Sequence, residues 1–428
     1  RKEYDLGNAA ELNYPVALSA GNYTLYLKIT DTVNTVEYLK MVGVIVQNVQ
    51  SSGWVVLGEN DEGFIQMDMV SIVKDTTILK DIIKDSGLPP LKKPVNLWVA
   101  DYHSKNMIHI STEEGTYLLD RKNLVGGEQT NFKYSFYDPT VVDEFVLKDA
   151  IQVRNYQRIA IVGNNLFHIN DLNQGEIFGQ PANRYKGSYD FFAVGDKIGV
   201  NIEQGRQSFV IYNNKDKRFL KIGGSGGMGT TTGYCDSLND TRNDIGIFSW
   251  KPGLDYVTTI NSRFLTGYTY TILKDTENSK YYLYSYSIEQ SWGTSDAFVK
   301  KGKYELENCP EFENARFFGA SALRTFLIYA TDSKLYAYDF QSGKSKLIKD
   351  FGTHEITCMH YDLIFETSSD CFYVASYDPS LPASTGGTIT KFKVNNDPND
   401  ISIEAIPEST WTGLCKIKSI QYKRYYGF

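Results

Sequence analysis

The sequence predicts an all-β fold, a β-propeller of about seven blades, and three observations carry that expectation. The first is the segment 321–351, which reads as strands 326–330, 334–340 and 345–349 joined by polar turns at 331–333 and 341–344. The second is the alternation in its middle strand, with Leu335 and Ala337 on one face and Tyr336, Tyr338 and Phe340 on the other. Both faces are apolar, so each needs a covering sheet, and stacking copies around an axis supplies one. The third is recurrence: strand runs separated by Asn, Asp and Gly turns return along the chain in about seven copies.

Before the repeats, residues 1–48 read as a separate unit. The run 21–31 alternates with Tyr23, Leu25, Leu27 and Ile29 on one face, and a second strand is expected over 36–47 after the turn at 31–34. The first repeat pairs strand 54–59 with 64–71 across the turn Asn60-Asp61-Glu62-Gly63. Ile78, Leu79, Ile82 and Ile83 recur at helical spacing behind Asp75 and before Gly87, which predicts a short helix over 75–86.

The second unit takes strands 95–100, 107–111 and 116–120, and the third 158–162 and 166–170. A fourth starts at Phe191 and carries 208–212 and 218–222; a fifth has 255–260, 268–274 and 281–288. The segment 321–351 is the sixth, and 356–359, 371–376, 388–394 and 401–405 make the seventh. The 378 residues after residue 50 divide into units of about 54, generous for a four-stranded blade, so some loops are long. Strand 416–422 is expected to pair with the strand at Trp54 and close the ring over 51–428.

Composition narrows the partners. The 31 Tyr and 23 Phe suit half-buried strand faces and polar ligand surfaces alike. A net charge of -7 without a basic stripe disfavours nucleic acid. No apolar run is long enough for a spanning helix, and the start at Arg1 without Met leaves room for a signal or anchor upstream. Five scattered cysteines form no C-x-x-C pair, although Cys358 and Cys371 fall on neighbouring strands of one unit, where a bridge is one reading and two buried thiols the other.

Chemistry is harder to place. The Gly-rich run 223–233 lacks the Lys of a phosphate loop and is followed by no helical pattern, so it reads as a long loop over one ring face. Asp236, Asn239, Asp240, Asn243 and Asp244 crowd oxygen donors together, and calcium is the one cofactor they raise, against a commoner role in capping turns. His354, Cys358 and His360 cluster in sequence without a zinc spacing. No catalytic residue can be assigned. Tyr234, Trp250 and Trp292 are the candidate ligand-binding residues, because flat rings near loops stack on sugar faces or peptide side chains, while core packing is the alternative for each.

The pattern Gly21-x-Tyr23-x-Leu25-x-Leu27-x-Ile29-x-Asp31 is similar to the penultimate strand of polycystic-kidney-disease (PKD) type immunoglobulin-like domains. With the junction 52–57 and the closing 417–422, the chain resembles the PKD-like family of Bacteroidota lipoproteins. That resemblance implies the C-terminal part of a PKD-type β-sandwich over 1–48, followed by the propeller. It also implies an exported, lipid-anchored outer-membrane protein at the cell surface, associated with SusC/SusD-type transporter components. In that setting a non-catalytic accessory would capture a glycan or peptide, or brace the complex. The alternatives are a propeller hydrolase or lyase acting on glycans and a pure protein-binding scaffold.

Overall fold

The computed structural model describes residues 3–18, 20–100, 107–152, 157–170, 177–202, 208–223, 233–289, 296–364 and 369–424. Seven antiparallel sheets succeed one another along the chain, and the first strand of each lies against the first strand of its neighbours around a common axis. Blade 1 is ordered, from the axis outwards, Lys416–Lys423, Gly53–Glu59, Ile65–Ser71 and Thr77–Leu79. Blades 2 and 3 hold three strands each among the described residues: Pro94–Val99, Met107–Thr112 and Gly115–Asp120, then Leu147–Gln152, Gln157–Val162 and Asn165–Asn170. Blade 4 comprises Gly199–Val200, Ser208–Asn213, Arg218–Gly223 and Asp236–Ser237, and blade 5 comprises Asp255–Asn261, Tyr268–Asp275, Lys280–Glu289 and Ala297–Glu305. Blade 6 takes Phe317–Ala320, Phe326–Ala330, Lys334–Asp339 and Lys344–Asp350; blade 7 takes Glu355–Tyr361, Cys371–Tyr377, Gly387–Val394 and Ile403–Leu414.

The core is divided among the seven seams, one apolar cluster between each pair of adjacent blades. Blade 6 shows why. Tyr336, Tyr338 and Phe340 pack towards blade 5 with Tyr270 and Leu283, while Leu335 and Ala337 pack towards blade 7 with Phe372 and Val374. Period-two alternation therefore feeds two different cores from one strand, and no blade is stable without both neighbours. At the seam of blades 2 and 3 the short 3-10 turns Glu128–Thr130, Phe132–Ser135 and Pro139–Val141 take the place of an outer strand. There Phe132, Phe136, Phe167 and Phe178 meet edge to face or stacked at 4.9–6.0 Å.

The expected ring closure is present. Tyr422 lies opposite Trp54 and Lys416 opposite Glu59, so the last strand is the innermost of the first blade. Lys423 donates to the carbonyl of Gln50 and ties that strand to the start of the ring. Asp68, fully buried, completes the closure. Its Oδ2 accepts from the Cys415 N–H at 2.8 Å and from Lys80 Nζ at 2.5 Å, and its Oδ1 from Gln66 Nε2 at 2.9 Å and the Asp81 N–H at 2.8 Å.

Close backbone approach at the same seam demands glycine. A Cβ on Gly387 would lie 1.9 Å from the carbonyl oxygen of Cys415, and one on Gly58 would lie 2.3 Å from that of Lys416. Gly387→Ala must push two paired strands apart. The expected result is a loss of about 1–3 kcal/mol, the usual range for overpacking, read as a lower denaturant midpoint with an unchanged slope.

One expectation is corrected, and two readings are narrowed. The segment 75–86 is not a helix: Thr77–Leu79 is the outer strand of blade 1, and Asp81 adopts a positive φ of 42° that no helix accepts. Its apolar residues serve both faces of the blade, Ile78 towards blade 7 and Leu79, Ile82 and Ile83 towards blade 2, which produces the misleading spacing. Of the two readings of Cys358 and Cys371, the structure bears out two buried free thiols. Cys358 faces Ala375, four residues from Cys371 and so roughly 13 Å along the strand, beyond the span of a disulfide. Finally, residues 1–48 do not build a sandwich among the described residues. Gly21–Asp31 pairs with Val36–Val46 along their whole length as a two-stranded sheet of its own, outside the ring's sheets. Tyr26, Leu27, Ile29, Tyr38, Leu39, Met41 and Ile45 stand exposed on it.

Candidate functional site

A repeated irregularity shapes the centre of the ring. In the innermost strands of blades 1, 2, 3, 5 and 7 one residue is skipped in the pairing register: Lys418, Val95, Lys148, Val257 and Thr357. Such a bulge re-aims the residues beside it. The residue after the bulge is Ser419, Asn96, Asp149, Thr258 or Cys358, small or polar in every case.

Four of these stitch neighbouring blades. Ser419 Oγ accepts from the Leu97 N–H at 3.1 Å, Asn96 Nδ2 donates to the Lys148 carbonyl at 3.1 Å, and Asp149 Oδ2 accepts from the Ile198 N–H at 3.0 Å. The Ile420 N–H reaches Cys358. Elsewhere Asn261 brackets blade 4 through the Val200 N–H at 2.9 Å and the Ile198 carbonyl at 2.8 Å. Ser262 Oγ donates to the Ser321 carbonyl at 2.8 Å. Between blades 6 and 7 the buried Asp370 accepts from Ser321 Oγ and from the Ala322 N–H at 3.0 Å, and burial raises its pKa.

One ion pair joins two blades inside this frame. Lys197 of blade 4 places Nζ 3.6 Å from Asp149 Oδ1 of blade 3. In the seam of blades 7 and 1, burial pushes Cys358 up to about 12, so it is a protonated thiol at neutral pH. Burial raises the Asp149 pKa against the pull of Lys197 and the Ile198 N–H, while Asp149 raises that of Lys197. The side chains are 42% exposed at Lys197 and 19% at Asp149, so water screens the pair.

Tyr256 of blade 5 adds a buried hydroxyl without a well-formed hydrogen bond, although Thr259 is near enough to offset slightly the large rise that burial causes. Gly195 is the floor for that ring, since a Cβ there would lie 2.6 Å from it. The Asp149–Lys197 pair thus sets one fixed positive and one fixed negative group between blades 3 and 4.

The aromatic residues expected to bind ligand are not brought together. Trp250 is buried at 2% exposure between blades 4 and 5, against Phe248 at 5.1 Å, Phe219 at 5.5 Å and Tyr286 at 5.6 Å, so it is a core residue, a correction forced by packing. Tyr234 is half-buried with Lys186 Nζ 5.7 Å from its ring. Trp292 and most of the Gly-rich run, 224–232, lie outside the described residues.

In the acidic stretch raised as a calcium site, Asp240 Oδ1 and Asp244 Oδ1 instead receive Lys300 Nζ at 2.7 and 2.8 Å. That ammonium is wholly buried under Phe248 and Trp250, 5.4 and 5.6 Å from the ring centres. The grouped His354, Cys358 and His360 also part company. His354 Nε2 faces Asp378 at 3.6 Å, His360 packs on Trp54, and Cys358 belongs to the apolar seam of blades 7 and 1. Burial, aided by Arg158, holds His109 down to about 3 and hence neutral.

No family model matches the chain, and no curated protein matches it. Among solved structures, the periplasmic gluconolactonase PpgL of Pseudomonas aeruginosa is 9% identical, with a TM-score of 0.48 over 88% of this chain and 99% of its own. The Cps50 (Swd1) β-propeller domain of Myceliophteria thermophila is 11% identical, with a TM-score of 0.43 over 82% and 98%. The extracellular domain of BT4673 from B. thetaiotaomicron, described as a one-component system, is 13% identical, with a TM-score of 0.36 over 78% and 39%. The seven-bladed assignment rests on this chain's own strand pairing.

Proposed function

We propose that the chain is a non-catalytic accessory of a SusC/SusD-type nutrient-uptake system, lipid-anchored at the cell surface of the outer membrane and using the ring to capture a glycan or peptide. The observation that supports this most is the hairpin of Gly21–Asp31 and Val36–Val46, whose exposed apolar residues a two-stranded ribbon cannot cover by itself. On this reading it is part of a PKD-type immunoglobulin-like domain, as in a modular surface protein. The centre of the ring agrees with binding rather than turnover, because Asp149 is held by Lys197 and a backbone N–H and Cys358 is a protonated thiol.

The test is capture from detergent-solubilised outer membranes, paired with retention on polysaccharide and peptide arrays. Recovery of SusC/SusD-type components together with retention of a polymer and no cleavage products is the expected outcome. Release of cleaved products would transfer the case to a glycan hydrolase or lyase, and transporter recovery with no ligand at all would leave a protein-binding scaffold.

A further inference from the structure

We propose that the outer edge of blade 4, where Arg184, Lys186, Tyr189 and Tyr234 stand together, is a binding ledge for an acidic glycan, a polymer of uronate sugars; this names the ligand class for the capture role above and rests on it. The backbone sets the ledge. Tyr185 and Cys235 face each other in a parallel bridge just before the outer strand Asp236–Ser237, and the Cys235 N–H donates to the Arg184 carbonyl at 2.8 Å. Both bridge residues turn inwards to the apolar core between blades 3 and 4. Tyr185 packs on Phe192 at 5.3 Å and its hydroxyl donates to Asp216 Oδ2 at 2.6 Å, while Cys235 Sγ donates to the Ala182 carbonyl at 3.2 Å. With those two committed to the core, alternation sends Arg184, Lys186 and Tyr234 to the outer face.

Distances on that face join the four side chains. Arg184 Nε donates to the Gly233 carbonyl at 3.0 Å, which fixes the guanidinium beside Tyr234, and its Cζ lies 5.4 Å from the centre of the Tyr189 ring. Lys186 Nζ lies 5.7 Å from the centre of the Tyr234 ring. A turn through Gly187, at a φ of 77°, is closed by the Ser188 N–H on the Tyr185 carbonyl at 3.0 Å and returns the chain so that Tyr189 reaches Arg184. Tyr189 is 83% exposed, so no core accounts for it. Neither cation has a carboxylate partner among the described residues. Asp216 is taken by Tyr185 and by Asn213 Nδ2 at 3.1 Å, and Asp190 and Asp236 are exposed to water without an ion pair there. A guanidinium stacked on a ring keeps its in-plane N–H groups for a bidentate carboxylate, and a tyrosine offers its face to the C–H side of a sugar. A uronate supplies both partners, carboxylate and apolar ring face, in one repeating unit.

Titration calorimetry of the full chain with trimers of galacturonate, glucuronate and mannuronate, each against its methyl ester, and with tetraglutamate gives the comparison. At least one uronate trimer is expected to bind about tenfold more tightly than its ester, to weaken with added salt, and to lose about tenfold in Tyr189→Ala and in Arg184→Gln. Tyr189→Ala removes an exposed ring, so its unfolding midpoint should match the parent and the loss belongs to the ligand. Equal binding of the esters, equal binding of tetraglutamate, unchanged binding by Tyr189→Ala, or no binding of any trimer by folded protein overturns the proposal. Retention of a neutral polymer without uronate binding would sink the ledge and spare the capture role; uronate binding with no transporter recovery would spare the ledge and sink the accessory role.

Discussion

Replacing Asp68 with alanine is expected to lower the stability of the whole ring by about 1–3 kcal/mol, the cost of leaving buried donors without their acceptor, since Lys80 itself is 39% exposed. The carboxylate has four donors, and three of them lie on different parts of the closure: Cys415 just before the last strand, Lys80 after the outer strand, and Gln66 within the blade. Lys80 also donates to the carbonyls of Ser384 at 2.9 Å and Gly413 at 2.7 Å, so Asp68 anchors a lysine that grips blade 7. Removing the anion leaves a backbone N–H and an amide unsatisfied in the core. Asp68→Asn keeps one acceptor and should fall between the two. The measurement is equilibrium denaturation of both variants, and a loss below about 1 kcal/mol for alanine would show that the seam closes on apolar packing alone.

The second large effect is expected at Lys300. Removing both carboxylates, as Asp240→Ala with Asp244→Ala, leaves a fully buried ammonium with aromatic faces but no anion, and should cost about 3–5 kcal/mol. The sign of the pH dependence separates this from simple loss of packing. In the parent, Lys300 is the main group holding Asp244 below the usual carboxylate range. For Asp240 the donors Lys300, Ser249 and Trp250 together outweigh burial, which acts the other way. Carboxyls with depressed folded pKa values contribute stability above their unfolded value near 3.8, and that stability is lost as pH falls through the lower folded values. The double variant lacks this acid-side loss. Instead its unpaired lysine should titrate below its unfolded pKa, so the folded state binds fewer protons and stability rises with pH. Matching pH profiles for parent and variant would refute the account.

The blades were legible because alternation is a local property. Leu335 and Ala337 against Tyr336, Tyr338 and Phe340 define two faces without knowledge of what covers them, and the pairing of 416–422 with Trp54 follows from the need to leave no open edge. The centre of the ring was not legible in the same way. Lys197 and Asp149 come from two different blades and meet only when those blades pack side by side. A trace existed: an apolar residue, a variable one and a small polar one recur as Ile417-Lys418-Ser419, Leu147-Lys148-Asp149 and Ile356-Thr357-Cys358. Short inner strands such as Gly199–Val200 hide that trace in blade 4. Trp250 misled for a different reason, since a tryptophan beside an acidic loop looks exposed until Lys300 and Phe248 are seen to enclose it.

The swap of first and last segments in blade 1 also has a consequence during synthesis. Gly53–Glu59 leaves the ribosome more than three hundred residues before its partner Lys416–Lys423 is made. Throughout that interval the nascent chain carries a strand with one unpaired flank, able to template unwanted pairing with other chains. Pairing over so great a sequence distance also slows productive folding, so transit of this chain should depend on holding factors that mask Trp54 and Val56 until Lys416–Lys423 is in place.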